Sequence, residues 1–405
     1  MSDLNQTPRG SRLHISFFGR RNVGKSSLIN ALTRQNTSIV SNIPGTTTDP
    51  VFKSMEILPL GPVVLIDTAG TDDAGELGLM RVEKTLEVLF KTDLVLVVVD
   101  PVIGIDDYEK EILNKARNRN VPVIVVVNKA DIINKEIVES NYMPETDEQP
   151  VVIVSALTGQ GIEQLKLTMI KNAPKDWTPP TIVGDLISPG DTVVLVVPID
   201  LAAPKGRLIL PQMQTIRDVL DNDAKALVVK ERELKSALES LKEKPSLVIT
   251  DSQAFLKVDA DTPGDVKLTS FSILFARFKG DLKSLVKGVK AIEELVPGDK
   301  VLVAEACTHH RVEDDIGTVK IPRWLRQIVG GALEFEYSSG IQLPDNLKDY
   351  KLIVHCGGCM INRKEMLFRI EQANLAGVPI VNYGLLIAYI HGILKRALKP
   401  FNIEF

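Results

Sequence analysis

The chain has 405 residues, of which 44% are hydrophobic and 25% charged, and its formal net charge is -4. This length exceeds one ordinary core and predicts two or three domains. The composition excludes a disordered chain and a protein that binds polyanions through bulk charge. No apolar run approaches the roughly 20 residues of a membrane helix, and residues 1–12 lack the apolar core of a secretory signal. We expect a soluble cytoplasmic protein without membrane or nucleic-acid partners.

The first predicted elements are a strand at 13–18 and a helix that follows Ser26, joined by a glycine-rich loop that starts at Gly19. Backbone N–H groups of such a loop surround phosphates, and the helix N-terminus adds its dipole. Lys25 is expected to reach the β- and γ-phosphates, and Ser26 to hold Mg²⁺. The nucleotide-binding residues predicted here are Asn22, Val23, Gly24, Lys25, Ser26 and Ser27.

Two polar segments further along match the switch elements of GTPases. Asp67 ends a predicted strand and begins the DxxG element, which places it near Mg²⁺ through water and the Gly70 amide near the γ-phosphate. Residues 45–49, GTTTD, resemble the GTTxD switch of the bacterial Era and tRNA-modification GTPase group. In that group a threonine completes the Mg²⁺ shell, and Thr47 is the residue predicted for this role. The predicted catalytic residues are Lys25, Thr47 and Gly70.

Base recognition is predicted after a buried strand at 121–127. The NKxD element there comprises Asn128, Lys129 and Asp131. The Asp131 carboxylate accepts guanine N1–H and N2–H₂, whereas adenine would leave it unpaired. A second loop, Ser155, Ala156 and Leu157, matches the SAx element that contacts guanine. Five motifs in the right order predict a domain over residues 1–173 that binds and hydrolyses GTP.

One departure from the Ras pattern bears on the hydrolysis rate. Ras-like enzymes orient the attacking water with a glutamine directly after DxxG, where this chain has Thr71. We therefore expect slow intrinsic hydrolysis. Asn22 stands where the Era and tRNA-modification group ligates K⁺, so K⁺ is an expected cofactor beside GTP and Mg²⁺. Slow hydrolysis and loops ordered by the γ-phosphate predict a molecular switch.

A proline-rich hinge at 174–180 separates this domain from the rest of the chain. Between 181 and 264 apolar strands alternate with helical patterns, which predicts a small parallel α/β domain. The segment carries no histidine, cysteine or phosphate loop, so we expect no catalysis there. An uncovered sheet edge predicts that it forms a homodimer, and a plain spacer is the alternative.

The last predicted domain, 265–405, contains all three cysteines. A strand at 300–306 ends at Cys307 and His309, and a strand at 351–356 ends at His355, Cys356 and Cys359. Because ligands of open α/β sheets bind at the carboxyl ends of strands, these residues are expected to form a metal site. Three inert buried cysteines are the alternative. The residues alone leave a zinc site and an iron–sulfur cluster both open.

The predicted fold class is α/β, with a P-loop GTPase domain followed by two α/β domains that have mainly parallel sheets. This order, with the C-terminal Cys-x-His…His-Cys-x-x-Cys, resembles the [FeFe]-hydrogenase maturation GTPases over essentially the whole chain. The resemblance implies a [4Fe-4S] cluster on Cys307, Cys356 and Cys359 with a labile fourth position. It implies a carrier that accepts a diiron precursor, made with two radical-SAM maturases, and delivers it to the apo-hydrogenase. The middle domain would be the dimerisation domain.

Several alternatives stay open. The replaceable fourth ligand is His309, His355 or a carboxylate from 313–315, and the histidines alternatively hydrogen-bond to cluster sulfur. An RNA- or ribosome-associated GTPase is a rival function suggested by the GTTxD switch, although residues 181–405 carry no basic stripe. A GTPase scaffold with a structural zinc site is the other rival.

Overall fold

The computed structural model describes eight stretches of the chain. They are residues 9–33, 50–68, 88–132, 149–174, 181–198, 208–306, 315–340 and 343–405. The chain divides into two compact units, Met1–Pro179 and Pro180–Phe405. Within the described stretches, no helix is long and apolar enough to cross a membrane.

The first unit contains one six-stranded sheet. Its strands are β1 (Leu13–Phe18), β2 (Val51–Ile57), β3 (Gly61–Asp67), β4 (Leu94–Val99), β5 (Val123–Val127) and β6 (Val151–Ile153). The order across the sheet is β2-β3-β1-β4-β5-β6. β2 pairs with β3 antiparallel, and the remaining pairs are parallel. Every residue of β1, β4 and β5 is buried, as the central strands of a sheet covered on both faces should be.

Three described helices cover this sheet. They are α1 (Lys25–Thr33), α2 (Asp107–Asn118) and α3 (Ile162–Asn172). Leu28 of α1 and Leu165 of α3 belong to one hydrophobic cluster, whereas Ile112 of α2 belongs to another. The two clusters also take alternate residues of the strands, so the helices lie on opposite faces of the sheet. α2 begins with a capping box between Asp106 and Glu109, which explains its start in sequence terms.

The second unit contains two four-stranded sheets that are parallel throughout. The strands are β7 (Thr192–Val196), β8 (Lys225–Val229), β9 (Leu247–Thr250), β10 (Lys267–Ser270), β11 (Lys300–Glu305), β12 (Glu334–Ser339), β13 (Leu352–His355) and β14 (Ile380–Asn382). The two orders are β10-β9-β7-β8 and β12-β11-β13-β14. The prediction of further α/β domains with parallel sheets is confirmed.

Helices connect these strands. They are α4 (Leu210–Asp221), α5 (Leu234–Ser240), α6 (Phe255–Asp261), α7 (Phe271–Lys279), α8 (Leu282–Val289), α9 (Ile321–Val329), α10 (Arg363–Ala376), α11 (Tyr383–Ile390) and α12 (Leu394–Leu398). One hydrophobic cluster includes Val194 of β7, Leu302 of β11 and Ile273 of α7, so the two sheets of this unit share a core. The middle domain is predicted to end at residue 264, whereas β10 begins at residue 267 and pairs with β9. The sheet of the middle domain thus includes a strand beyond the predicted boundary.

The second sheet brings the two strands that precede the cysteines side by side. β11 and β13 pair in parallel, with Ala304 opposite His355. The carboxyl ends of both strands therefore lie at one edge of the sheet, as the sequence predicts.

Candidate functional site

The loop between β1 and α1 requires glycine at two positions. A Cβ atom on Gly19 would lie 2.2 Å from the Val98 carbonyl oxygen. A Cβ atom on Gly24, whose φ is +92°, would lie 2.3 Å from Nδ2 of Asn128. Both contacts are too short for any side chain, so the loop packs tightly against β4 and the start of the NKxD segment. This tightly packed loop is the phosphate loop predicted from the sequence.

Lys25 and Ser26 begin α1, and both make local hydrogen bonds. Lys25 is 7% exposed, and its Nζ donates to the carbonyl oxygens of Gly19 at 2.7 Å and Arg20 at 2.9 Å. Ser26 Oγ donates to Oδ2 of Asp67 at the end of β3. Burial raises the pKa of Asp67, and the Ser26 bond with the charge of Lys25 acts in the opposite direction. The structure thus joins the two predicted Mg²⁺-associated residues, Ser26 and Asp67.

Asn128 connects the two loops expected to surround the base. Its Nδ2 donates to the Val23 carbonyl oxygen at 2.9 Å, and its Oδ1 accepts from the Ala156 N–H at 3.0 Å. Its side chain is buried at 2% exposure, so both amide bonds are needed. The phosphate loop, the NKxD element and the SAx element therefore meet at this residue.

Lys129 and Asp131 are each held by a neighbour. Lys129 Nζ donates to Asp100 at 2.8 Å. Burial acts to raise the pKa of Asp100, but the Lys129 bond and the Val102 N–H outweigh it and lower that pKa. Ser155 Oγ donates to Oδ1 of Asp131. One carboxylate oxygen is thus engaged by Ser155, and this bond orients the group that is expected to read guanine.

Arg20 was not singled out by the motif. Its Nε donates to the fully buried Glu109 at 3.2 Å, and its Nη2 donates to the Gly104 carbonyl oxygen at 3.0 Å. Its Nη1 reaches Asp106, the N-cap residue of α2. The phosphate loop is therefore tied to the start of α2. Neither the capping box at 106–109 nor the arginine that pairs with its carboxylates was predicted from the sequence.

Some predicted site residues lie outside the described stretches. They are Thr47 and Gly70 in the switches, together with Cys307 and His309 at the metal site. Of the remaining nucleotide residues, Asn22, Ser27 and Leu157 are exposed, and Leu157 is 84% accessible.

The predicted metal site is described on its β13 side. The Cys356 N–H donates to the Ala304 carbonyl oxygen at 2.9 Å, and the Ala306 N–H donates to Sγ of Cys356 at 3.2 Å. Cys307 is the next residue in the chain after Ala306. Burial raises the pKa of the Cys356 thiol, while the N–H groups of Ala306 and Gly358 act to lower it. Within the described stretches, no group of three or more His, Cys, Asp or Glu side chains could hold a metal ion. Cys307 lies outside these stretches.

Residues 356–362, between β13 and α10, form a loop that we call the cysteine loop. His355, the last residue of β13, directly precedes this loop and is fully buried. Its Nδ1 contacts the Cys356 carbonyl oxygen at 2.7 Å, and its Nε2 contacts Nη1 of Arg369 at 2.7 Å. Burial, with the nearby charge of Arg369, lowers the pKa of His355 to about 3. The imidazole is therefore neutral, and both of its nitrogens are hydrogen-bonded within the fold.

Lys279, the last residue of α7, is a second cation that the motif did not reveal. It is 2% exposed, and its Nζ donates to the carbonyl oxygens of Cys359 at 2.8 Å and Ile361 at 2.7 Å. Burial lowers its pKa to about 8, while Cys359, Glu365 and Cys356 act to raise it. The loop that carries Cys356 and Cys359 is thus bordered by two buried cations, Lys279 and Arg369.

Three family models match successive parts of the chain. Residues 14–129 match a model described as a 50S ribosome-binding GTPase. Residues 182–280 match the hydrogen maturase F dimerization domain, and residues 283–400 match the hydrogen maturase F tetramerization domain. The first match makes the unit with the phosphate loop a GTPase domain, a domain that binds and hydrolyses GTP.

Curated relatives match the N-terminal part of the chain. GTPase Der of Kosmotoga olearia is 33% identical over 199 residues, which are 46% of this chain and 45% of the relative. tRNA modification GTPase MnmE of Moorella thermoacetica is 42% identical over 160 residues, which are 38% of this chain and 33% of the relative. The chain thus spans less than half the length of these two relatives.

Among solved structures, Era of Aquifex aeolicus bound to GDP.AlF4- is 21% identical. The likeness covers 62% of this chain and 99% of Era, with a TM-score of 0.36. At that score, the likeness carries no further conclusion.

Proposed function

We infer that the chain belongs to the hydrogen maturase F family of hydrogenase maturation GTPases, with a G domain of the tRNA-modification and Era type. From that premise we propose that it is a GTP-hydrolysing scaffold and carrier in [FeFe]-hydrogenase maturation. It holds a [4Fe-4S] cluster, accepts a diiron precursor made with two radical-SAM maturases, and transfers it to the apo-hydrogenase. The cargo is thus a substrate, and the cluster is the resident group.

The observation that carries this proposal is the hydrogen bond from the Ala306 N–H to Sγ of Cys356. Cys307 directly follows Ala306 in the sequence and itself lies outside the described stretches. Cys359 is on the same short loop as Cys356. Cysteine thiolates are the usual ligands of iron–sulfur clusters, so three cysteines that follow two adjacent strands fit such a cluster with one iron position left for another ligand.

A cluster held by three cysteines supplies one iron position open to an exchangeable ligand, which is the chemistry a carrier needs. The protein's own contribution is positioning. Buried His355 and Arg369 support the backbone at Cys356, and the Ala306 N–H donates to its sulfur. Hydrogen bonds from N–H groups to thiolate sulfur stabilise its negative charge.

The GTPase domain supplies the switch. Asp131 would accept from guanine, Lys25 lies within the phosphate loop, and Ser26 would hold Mg²⁺, with Asp67 near the ion through water. Thr47 and Gly70 complete the predicted contacts to Mg²⁺ and the γ-phosphate. Because the contacts to the γ-phosphate exist only with GTP, nucleotide state changes the affinity for the maturation partners. Equal affinities with GTP, with GDP and without nucleotide would remove this part of the proposal.

The chain also assembles with copies of itself, as the descriptions of its dimerization and tetramerization domains suggest. β8 is an edge strand of its sheet, and Val228 on it is 42% exposed. No other described strand pairs with its outer side. An edge with free N–H and C=O groups is suited to pairing with a second copy.

Metal analysis after anaerobic purification tests the carrier role. We expect iron and sulfide in roughly equal amounts, as in a [4Fe-4S] cluster, and a fast-relaxing EPR signal after reduction. Cys356→Ser should lose most of the iron, whereas Ser338→Ala, on the neighbouring strand β12, should keep it. Stoichiometric zinc in place of iron would support the structural zinc scaffold and contradict the carrier proposal.

A further inference from the structure

Lys279 is a buried cation, and its ammonium donates hydrogen bonds to the cysteine loop. It is 2% exposed, and its ammonium donates to the carbonyl oxygens of Cys359 and Ile361. Burying an ammonium costs free energy unless acceptors replace its water. The loop supplies these acceptors, so its backbone must hold a fixed conformation for Lys279 to stay buried.

Arg363 makes the converse contact. It is the first residue of α10, directly after the cysteine loop, and its Nη1 donates to the carbonyl oxygens of Phe278 at 2.7 Å and Gly280 at 3.1 Å. These carbonyl groups are at the carboxyl end of α7, where a cation is favoured. Lys279 at the end of α7 thus donates to the cysteine loop, and Arg363, which follows that loop, donates to the end of α7. The two segments are therefore locked together by cations in both directions.

The position of the charge matters as much as the bonds. The charges of Cys359 and Cys356 act on the Lys279 ammonium, and Glu365 of α10 faces the same group. Arg369 is the other buried cation near Cys356. A positive charge next to thiolates stabilises them, and it stabilises the more negative, reduced state of any iron that they hold.

We propose that Lys279 is a positioning residue for the cluster, fixing the Cys356–Cys359 loop and raising the reduction potential of the group held there. This inference rests on the proposed function. Lys279 lies in the part of the chain that matches the dimerization domain, whereas the cysteines lie in the part that matches the tetramerization domain. The cluster site is thus completed by a residue from outside the segment that carries its ligands.

The test compares Lys279→Met with Lys287→Met in the full-length, cluster-loaded protein. Methionine keeps the length of the side chain but removes its charge and its donors, and Lys287 is an exposed lysine of α8. An EPR-monitored redox titration should give a more negative reduction potential for Lys279→Met than for wild type or Lys287→Met. Iron release to a chelator should be roughly tenfold faster, the size of effect typical of supporting residues around metal ligands.

A potential and a release rate equal to those of wild type, in a folded Lys279→Met protein, would overturn the inference. If circular dichroism shows that this variant does not fold, Lys279→Gln replaces it, because its amide still donates to one carbonyl group. The potential then decides: a negative shift supports the role, and an unchanged potential overturns it. Wild-type protein without iron and sulfide would instead overturn the proposed function and this inference with it.

Discussion

Arg369 donates a hydrogen bond from Nη1 to Nε2 of His355 at 2.7 Å, deep within the second unit. A guanidinium has only donors, so Nε2 must accept and the imidazole carries its proton on Nδ1. That proton points to the Cys356 carbonyl oxygen at 2.7 Å. His355 would have to break one of these bonds to ligate iron. The arrangement favours the supporting role for His355 over the ligand role, both of which the sequence predicts.

Arg369→Met should destabilise the second unit by about 3 kcal/mol, the cost of removing one partner from a buried charged network. The variant leaves Nε2 of His355 and the Gly340 carbonyl oxygen without the donor they now have, and separates Glu365 from a cation 3.9 Å away. Urea unfolding followed by circular dichroism measures the change.

Arg323→Met is the matched control, since Arg323 is exposed on α9. It should change the free energy of unfolding by less than about 0.5 kcal/mol. An equal effect of the two substitutions would show that the Arg369 network does not stabilise the fold.

Asp131→Asn should change the base that the GTPase domain prefers. The carboxylate accepts two N–H groups from guanine, whereas an asparagine amide offers a donor that suits the C2 carbonyl of xanthine. We expect the affinity for GDP to fall roughly hundredfold, because a donor replaces one of the two acceptors and the negative charge is lost. Affinity for XDP should rise. Calorimetry measures both, with Asp107→Asn, an exposed position on α2, as control. Unchanged GDP affinity would remove Asp131 from base recognition.

Asp100→Asn tests how Lys129 is held. The Asp100 carboxylate is 2.8 Å from the Lys129 ammonium, and its pKa is lowered because the Lys129 and Val102 bonds outweigh the effect of burial. We expect GDP to bind roughly fivefold more weakly to the variant, equivalent to about 1 kcal/mol for a partly exposed ion pair. Fluorescence titration with a labelled nucleotide provides the measurement.

The pH dependence of that difference follows from the sign of the pKa change. A carboxylate whose folded-state pKa lies below its ordinary 3.8 stays charged at and above this value. Its contribution is present above pH 3.8 and is lost as the pH falls through the folded-state pKa. The affinity ratio between wild type and Asp100→Asn should therefore be constant from pH 8 to pH 5. A ratio that declines across this range would contradict the assignment.

The sequence predicts what is local in this molecule. The short patterns depend on backbone that is near in the chain: the phosphate loop, the NKxD segment and the two strand ends at the cysteines. The structure joins the phosphate loop to the NKxD segment in the first unit, and it pairs the two strands in the second. The buried cations escape such reading. Lys279 meets Cys359 across 80 positions, and Arg20 meets Glu109 across 89. A lysine in an apolar helix pattern resembles a solvated side chain until tertiary packing shows which carbonyl groups surround it.

Val228→Lys tests self-association through β8. Val228 is 42% exposed on this edge strand, and a charge there would oppose pairing with a second copy. We expect the molar mass in solution, measured by light scattering, to halve. Leu220→Lys, at a 55% exposed position on α4, should leave the mass unchanged. An unaltered mass for Val228→Lys would place the dimer interface elsewhere.

Asn22→Ala tests the predicted K⁺ dependence of GTP hydrolysis. Asn22 has a φ of 62° and is exposed in the phosphate loop, so its amide oxygen is open to a solvent cation. A cation bound there would offset the charge that develops on the transferred phosphate, the role an arginine finger takes in other GTPases. We expect wild type to hydrolyse GTP faster in K⁺ than in Na⁺, and Asn22→Ala to lose the difference.

Asn120 is also left-handed, with a φ of 53°, and exposed, so Asn120→Ala controls for the backbone strain. Equal wild-type rates in the two salts would exclude the K⁺ role.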